Sequence, residues 1–236
     1  MIVFRKKSII IISVLILTIF TFVLCFGAIG NSAVSASNKI KIVLDAGHGG
    51  LDGGVTGVNT GVKESELNLI VVKKIEKCLI DAGMNVVLTR NSDAGLYGVV
   101  SSTLKRKDME KRRDIILKAK PNLVVSVHMN KYSLSTRRGA QVFFNENNPD
   151  SIILANSIQQ NFNAMENCVK KTDALKGDYY ILKCTDYPSV IAECGFLSNP
   201  EDEKLLITET YQEDIAFTIY KGIVTYLAQT TSNYNT

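Results

Sequence analysis

The stretch Lys41-Ile42-Val43-Leu44-Asp45-Ala46-Gly47-His48-Gly49-Gly50 runs a short aliphatic segment into a glycine-rich turn that carries a histidine. Ile42, Val43 and Leu44 read as a buried strand. Ending it in Gly-His-Gly-Gly places His48 at the carboxyl edge of a sheet, with glycines that let the backbone approach whatever the ring holds. In open α/β sheets that edge is where ligands bind. The alternative is a plain strand-to-turn with an incidental histidine. The chain has only two histidines, and the second weighs against that alternative. Leu123-Val124-Val125-Ser126-Val127-His128-Met129-Asn130 is another apolar strand running into an imidazole. Two strands of one sheet that each deliver a histidine point to a shared metal site.

Outward from these strands, the pattern alternates strand and helix. A glycine-rich loop from Gly49 to Gly61 leads to Val62-Lys63-Glu64-Ser65-Glu66-Leu67, which opens a helix. Its apolar positions, Leu67, Ile70, Val71, Ile75, Cys78, Leu79 and Ala82, have helical spacing, and Gly83 stops it. Cys78 falls on the apolar face and reads as a buried thiol. Met84 to Thr89 is a second strand, expected parallel to the first because a helix joins them. A polar loop from Arg90 to Ser102 precedes a helix over Leu104 to Ala119, with Leu104, Ile115, Ile116 and Ala119 inward. The basic run on it, Lys105 to Arg113, reads as a solvated face. Further strands are expected at Ala140 to Phe144, Tyr179 to Leu182 and Pro188 to Cys194. Asn148-Pro149-Asp150 and Asn199-Pro200-Glu201-Asp202 each start a helix, the second region running to about Leu227. This is an α/β pattern.

Residues 1–36 stand apart. Arg5, Lys6 and Lys7 precede an apolar run from Ser8 to Gly30, followed by the small residues Ser32 to Ala36. This is a secretory leader, read as a cleaved signal peptide with an uncleaved signal anchor as the alternative. Its charges place the rest of the chain outside the membrane. Removing the leader leaves 24 basic against 23 acidic residues, a net charge of +1, which argues against a nucleic-acid partner. Residues 40–228 then form one domain, and 229–236 a polar tail. The five cysteines include no Cys-x-x-Cys pair, so a thiolate zinc site is not expected, and their disulfide status stays open.

Two imidazoles need a carboxylate to complete a three-ligand zinc site. Glu64, at the start of a helix beyond the glycine loop, is the first candidate, and Glu66 competes with it. Both also suit the first turn of a helix as dipole partners. Glu193, in Ser189-Val190-Ile191-Ala192-Glu193-Cys194-Gly195-Phe196, follows apolar residues at the end of a strand, where a charge is costly without a partner. It is the candidate general base. Asp45 either orients a histidine or caps the turn.

The motifs Asp45-Ala46-Gly47-His48-Gly49-Gly50, Glu64-Ser65-Glu66-Leu67-Asn68-Leu69, Ser126-Val127-His128-Met129-Asn130 and Glu193-Cys194-Gly195-Phe196-Leu197-Ser198-Asn199-Pro200 occur in that order. Together they resemble the zinc-dependent N-acetylmuramoyl-L-alanine amidases of bacterial cell walls, over nearly all of residues 40–228. The resemblance implies a single domain with a mostly parallel, twisted sheet of about six strands and helices on both faces. It implies His48, Glu64 and His128 as zinc ligands, Glu193 as the catalytic glutamate and Arg112 as a substrate-binding arginine. Peptidoglycan is the implied substrate, cut between the lactyl group of muramic acid and L-alanine. The chain departs from the family at Ser65-Glu66, where Lys-Asp is frequent, and at Ile116-Leu117, where Ala-Asn is usual. It lacks the cell-wall-binding repeats of many relatives. Within the family it is most similar to the germination-specific amidases of the spore cortex. That likeness implies an exported enzyme of the cell wall or cortex space, whose membrane contact is the leader alone. Its further implied partners are an accessory exported protein and a polysaccharide deacetylase acting next to form muramic δ-lactam.

Three rival readings share these residues. One is another zinc peptidase or amidohydrolase, and one is a non-catalytic wall-binding relative. The third is a cysteine hydrolase with Cys194 as nucleophile and a histidine as base.

Overall fold

The computed structural model describes residues 39–98 and 102–233. The leader expected over residues 1–36 lies outside them. No helix among the described residues is long and apolar enough to cross a membrane.

Six strands, β1 (Lys41–Ala46), β2 (Asn85–Leu88), β3 (Leu123–Asn130), β4 (Gln141–Phe144), β5 (Leu175–Lys176) and β6 (Ser189–Phe196), form one sheet in the order β2-β1-β3-β6-β4-β5. The helices are α1 (Glu64–Asp81), α2 (Leu104–Ala119), α3 (Pro149–Asn163), α4 (Tyr180–Lys183), α5 (Pro200–Leu206) and α6 (Glu209–Asn233). β1 runs parallel to both β2 and β3, and β3 parallel to β6. β4 is antiparallel to β6, and β5 follows β4 in parallel. The sheet is therefore mostly parallel.

Period-two alternation divides the strand side chains between two cores. Ile42, Leu44, Val125, Val127, Val190 and Ala192 face the larger core, shared with α1, α3 and α6. Val43, Val124 and Ile191 face the smaller one, closed by Ile116 of α2 and by Ile181 and Leu182 of α4. Both helices expected from an Asn-Pro start are capped as that sequence dictates. Asn148 Oδ1 accepts from Ser151 N at 2.9 Å, and Asn199 Oδ1 accepts from Asp202 N at 2.9 Å.

Four expectations change. Tyr179 to Leu182 is not a strand: Tyr180–Lys183 forms α4, and the strand in this region is β5, Leu175–Lys176. Ile181 and Leu182 are consecutive and both buried in one core, which a turn of helix allows and an alternating edge strand does not. The basic run on α2 is solvated except at Arg112, because the buried stripe is Asp108, Arg112 and Ile116 at i, i+4, i+8. The Cys78 thiol is half-buried rather than buried. α6 continues through residue 229 to Asn233, so the expected polar tail is helical as far as that residue.

A close approach between α6 and α3 gives a stability test. A Cβ built on Gly222 would lie 2.6 Å from the Cα of Ile158. Gly222→Ala should therefore destabilise the fold by about 1–3 kcal/mol through overpacking, against a helix-propensity gain of about 1 kcal/mol. Urea unfolding midpoints would check it; an unchanged or raised midpoint would contradict the packing described.

Candidate metal centre

The alternation that fills the two cores also assembles the polar groups. Asp45 of β1, Ser126 and His128 of β3 and Glu193 of β6 fall out of phase with the residues of the larger core. Asp45 stands beside Ser126, and His128 beside Glu193, in neighbouring parallel strands. β1 ends at Ala46, and the next turn brings His48 over the same edge. Glu64, the first residue of α1, completes the group.

His48, Glu64 and His128 each offer one ligand atom, and the three atoms lie within 4.8 Å of one another. Glu64 Oε1 is 3.2 Å from His48 Nε2 and 2.9 Å from His128 Nδ1. The carboxylate is fixed from both ends: Met129 N donates to Oε1 at 3.1 Å and Val55 N donates to Oε2 at 2.8 Å. Burial opposes its ionisation, but the two histidines outweigh burial and hold it well below the usual carboxylate range. Glu66, the competing candidate, is exposed and outside the group. On its far side His48 Nδ1 lies 2.9 Å from Asp52 Oδ2. Burial disfavours the His48 imidazolium, yet Asp52 and Glu64 together raise its pKa to about 9. Two imidazoles and an ionised carboxylate form a donor set that fits zinc. Asp52 acts on the His48 ring through charge, since the contact lacks hydrogen-bond alignment.

The glycine loop makes this convergence sterically possible. His48 itself sits at φ 60°, a conformation few non-glycine residues adopt. A Cβ on Gly47 would overlap the His128 ring, and one on Gly54 would overlap the Glu64 carboxylate. The backbone passes where only glycine leaves room for these side chains.

Beneath the turn lies a buried polar cluster. Arg112 donates through Nε to Asp108 Oδ2 at 2.7 Å and through Nη1 to Asp45 Oδ1 at 2.5 Å. It also donates to the carbonyls of Ala46 and His48, at 2.8 and 2.7 Å. Only 2 % of Arg112 is exposed. The guanidinium expected at the substrate is thus committed to Asp45, Asp108 and the turn. Asp45 further accepts from Thr89 and Ser126 at 2.6 and 2.5 Å. Burial opposes its ionisation, and Arg112 with the two hydroxyls overcomes it, holding the pKa down at about 2. Asp45 therefore neither orients a histidine nor merely caps the turn. Asp52, the only acidic residue between His48 and Glu64, meets His48 instead.

Glu193 is 9 % exposed, and its buried Oε2 has no hydrogen-bond partner. Burial pushes its pKa up to about 7, Glu64 adding to the rise and His128 opposing it. That value suits a group that takes and returns a proton near neutral pH. Glu193 and the triad open onto a cavity of about 520 Å³, also lined by Lys105, Met109, Lys131 and Tyr179. The neighbouring Cys194 points to the opposite side of the sheet, fully buried in the larger core, and burial raises its thiol well above the ordinary value. This removes Cys194 as a nucleophile served by either histidine.

Comparison with known proteins adds the family. The N-acetylmuramoyl-L-alanine amidase family matches residues 42–225. The germination-specific N-acetylmuramoyl-L-alanine amidase of Bacillus subtilis is 34 % identical over 197 residues, covering 82 % of this chain and 81 % of that one. The amidase AmiA of Escherichia coli is 26 % identical over 238 residues, covering 82 % and 78 %. The CwlD amidase of Clostridioides difficile, solved in complex with the GerS lipoprotein, superposes with a TM-score of 0.77 at 36 % identity, over 80 % of this chain and 99 % of that one.

The ion pair under the turn supplies a test independent of turnover. Asp45→Asn leaves the buried Arg112 with Asp108 as its one carboxylate partner and should cost about 1.5–3 kcal/mol. The folded-state pKa of Asp45 lies below its ordinary value of 3.8. Its contribution is therefore complete above about pH 4 and is lost as pH falls toward 2. Stability measured against pH should fall less steeply in that window in the variant than in the wild type. Equal slopes would remove Asp45 from the acid response.

Proposed function

The chain belongs to the N-acetylmuramoyl-L-alanine amidase family, and from that premise we propose that it is a zinc-dependent hydrolase of peptidoglycan. The bond cut is the amide between the lactyl group of N-acetylmuramic acid and L-alanine. The observation that carries this reading is the convergence of His48, Glu64 and His128 beside Glu193, whose buried oxygen lacks a partner. His48, Glu64 and His128 would hold the zinc ion. Bound there, zinc supplies Lewis-acid polarisation of the scissile carbonyl and activation of water. Glu193 accepts the proton of the attacking water and returns one to the leaving L-alanine amine. Asp52 places a negative charge beside His48 Nδ1. Arg112 holds the turn that carries His48 and also borders the cavity, so it positions the site and stands beside the substrate. The products are a glycan with free lactyl carboxylates and a stem peptide with a new L-alanine amino terminus.

The finer assignment is a role in the spore cortex, supported by the likeness to the germination-specific amidase of B. subtilis and to CwlD. In that setting residues 1–36 export the enzyme, as signal peptide or anchor, and a polysaccharide deacetylase acts on the stripped glycan to form muramic δ-lactam. The CwlD structure contains a lipoprotein, which supports an exported accessory protein as partner here too.

Mass spectrometry of digested peptidoglycan tests the bond. Stem peptides with free L-alanine, unshortened glycan, arrest by chelator and recovery with zinc are expected. Shortened glycans, or cuts confined to the stem peptide, would end the assignment. Glu193→Gln should stay folded, keep its zinc and lose roughly 10²-fold or more in turnover. His48→Ala, Glu64→Ala and His128→Ala should each lose zinc and activity together, while Glu66→Ala and Cys194→Ala remain active. Full zinc occupancy in Glu64→Ala would reassign the carboxylate ligand.

A further inference from the structure

Arg90 stands just past the end of β2 and is 4 % exposed. Its four hydrogen bonds all go to backbone carbonyls. Nε donates to Ala46 O at 2.9 Å, Nη1 to Ser92 O at 2.9 Å, and Nη2 to Gly47 O and Ser65 O at 2.9 and 2.8 Å. Taking a guanidinium out of water to meet only neutral carbonyls is costly. What it accomplishes here is geometric. Gly47 O belongs to the peptide that leads into His48. Ser65 O lies one residue beyond Glu64. A single nitrogen thus ties together the two chain segments that carry two of the three ligands, segments joined in sequence only through the glycine loop. Asn68 reinforces the same line, its Nδ2 donating to Gly47 O at 3.1 Å and to Glu64 Oε1 at 3.3 Å. With Arg112 on Ala46 O and His48 O, the three successive carbonyls of the turn are all engaged. Such over-determination keeps a non-glycine residue at φ 60°.

We propose that Arg90 is a positioning residue for the metal centre, setting the distance between His48 and Glu64 by bridging the carbonyls beside them. The inference rests on the reading of His48, Glu64 and His128 as zinc ligands. The planar fork is essential to it, since a lysine ammonium cannot reproduce the donor geometry that joins β1, α1 and the loop after β2.

The test compares wild type, Arg90→Lys and Arg90→Gln, with Ile223→Ala as a control. Ile223 is fully buried in the larger core on α6, so its truncation lowers stability without touching the turn. Zinc affinity is measured by chelator competition on folded apoprotein, and the visible spectrum is recorded after cobalt substitution. Zinc affinity should fall about 10–100-fold in Arg90→Lys and Arg90→Gln, the range expected when groups supporting metal ligands are altered. The cobalt spectrum of Arg90→Lys should shift. Ile223→Ala should bind zinc like wild type despite a lower melting temperature. Zinc affinity within about twofold of wild type in the Arg90 variants, or a fall of equal size in Ile223→Ala, would make Arg90 structural only. If Arg90→Gln does not fold, Arg90→Lys decides, and failure of both to fold would also overturn the proposal. Absence of zinc binding by the wild type would instead remove the metal centre, and this role with it.

Discussion

The turn after β1 must carry a histidine in a left-handed backbone conformation over a sheet edge crowded by a second imidazole. Its φ of 60° is disfavoured for any residue with a Cβ, and nothing local to the sequence enforces it. The enforcement comes from below. Asp45 and Arg112 form an ion pair inside the protein, and the guanidinium continues to the carbonyls of Ala46 and His48. Arg90 takes Ala46 O and Gly47 O from another side. Each arginine is costly to bury alone. Set against one turn, they satisfy its carbonyls, and Asp45 and Asp108 offset the charge of Arg112.

The sheet places the chemistry on one side of that constraint and the bulk on the other. The larger core takes one phase of each parallel strand, together with α1, α3 and α6. The opposite phase is covered only by α2 and α4, and its cover ends where Asp45, His128 and Glu193 emerge. This division gives adjacent residues opposite fates. Cys194 disappears into the larger core, and Glu193 faces the cavity with one oxygen unsatisfied. The same burial raises the Glu193 pKa to about 7, a value suited to exchanging a proton with neutral solution.

Glycine makes this economy of space possible. Where Gly47 and Gly54 pass this group, a single methyl would displace the His128 ring or the Glu64 carboxylate. The loop between β1 and α1 is therefore less a flexible connection than a fitted wall. Its far end is held by Glu203 of α5, which accepts from Asn59 N and Thr60 N, both at 2.8 Å. Burial opposes ionisation of that carboxylate, and its hydrogen bonds prevail, holding its pKa below the ordinary value.

Much of this was legible in the chain itself. Alternation of apolar strands with 3.6-period helices dictated an α/β sheet, and the placing of two scarce histidines at the ends of two apolar runs marked the edge that matters. Asn-Pro starts located α3 and α5 because a cap and a proline act within one turn. Glu193 showed itself as a charge in an apolar run. Other features depended on groups far apart in sequence. Which of Glu64 and Glu66 faces His48 and His128 depended on which side of α1 met the sheet. A four-residue apolar run became α4 because one core took both Ile181 and Leu182. The run around Arg112 looked like a solvated helix face, and resemblance alone marked Arg112, until its i, i+4 stripe with Asp108 and Ile116 turned inward. Arg90 and Asp52 had no local signature. Periodicity and caps are properties of a few neighbouring residues and survive in the sequence. The partner of a buried charge is chosen across 67 residues between Asp45 and Arg112, a distance closed only by folding.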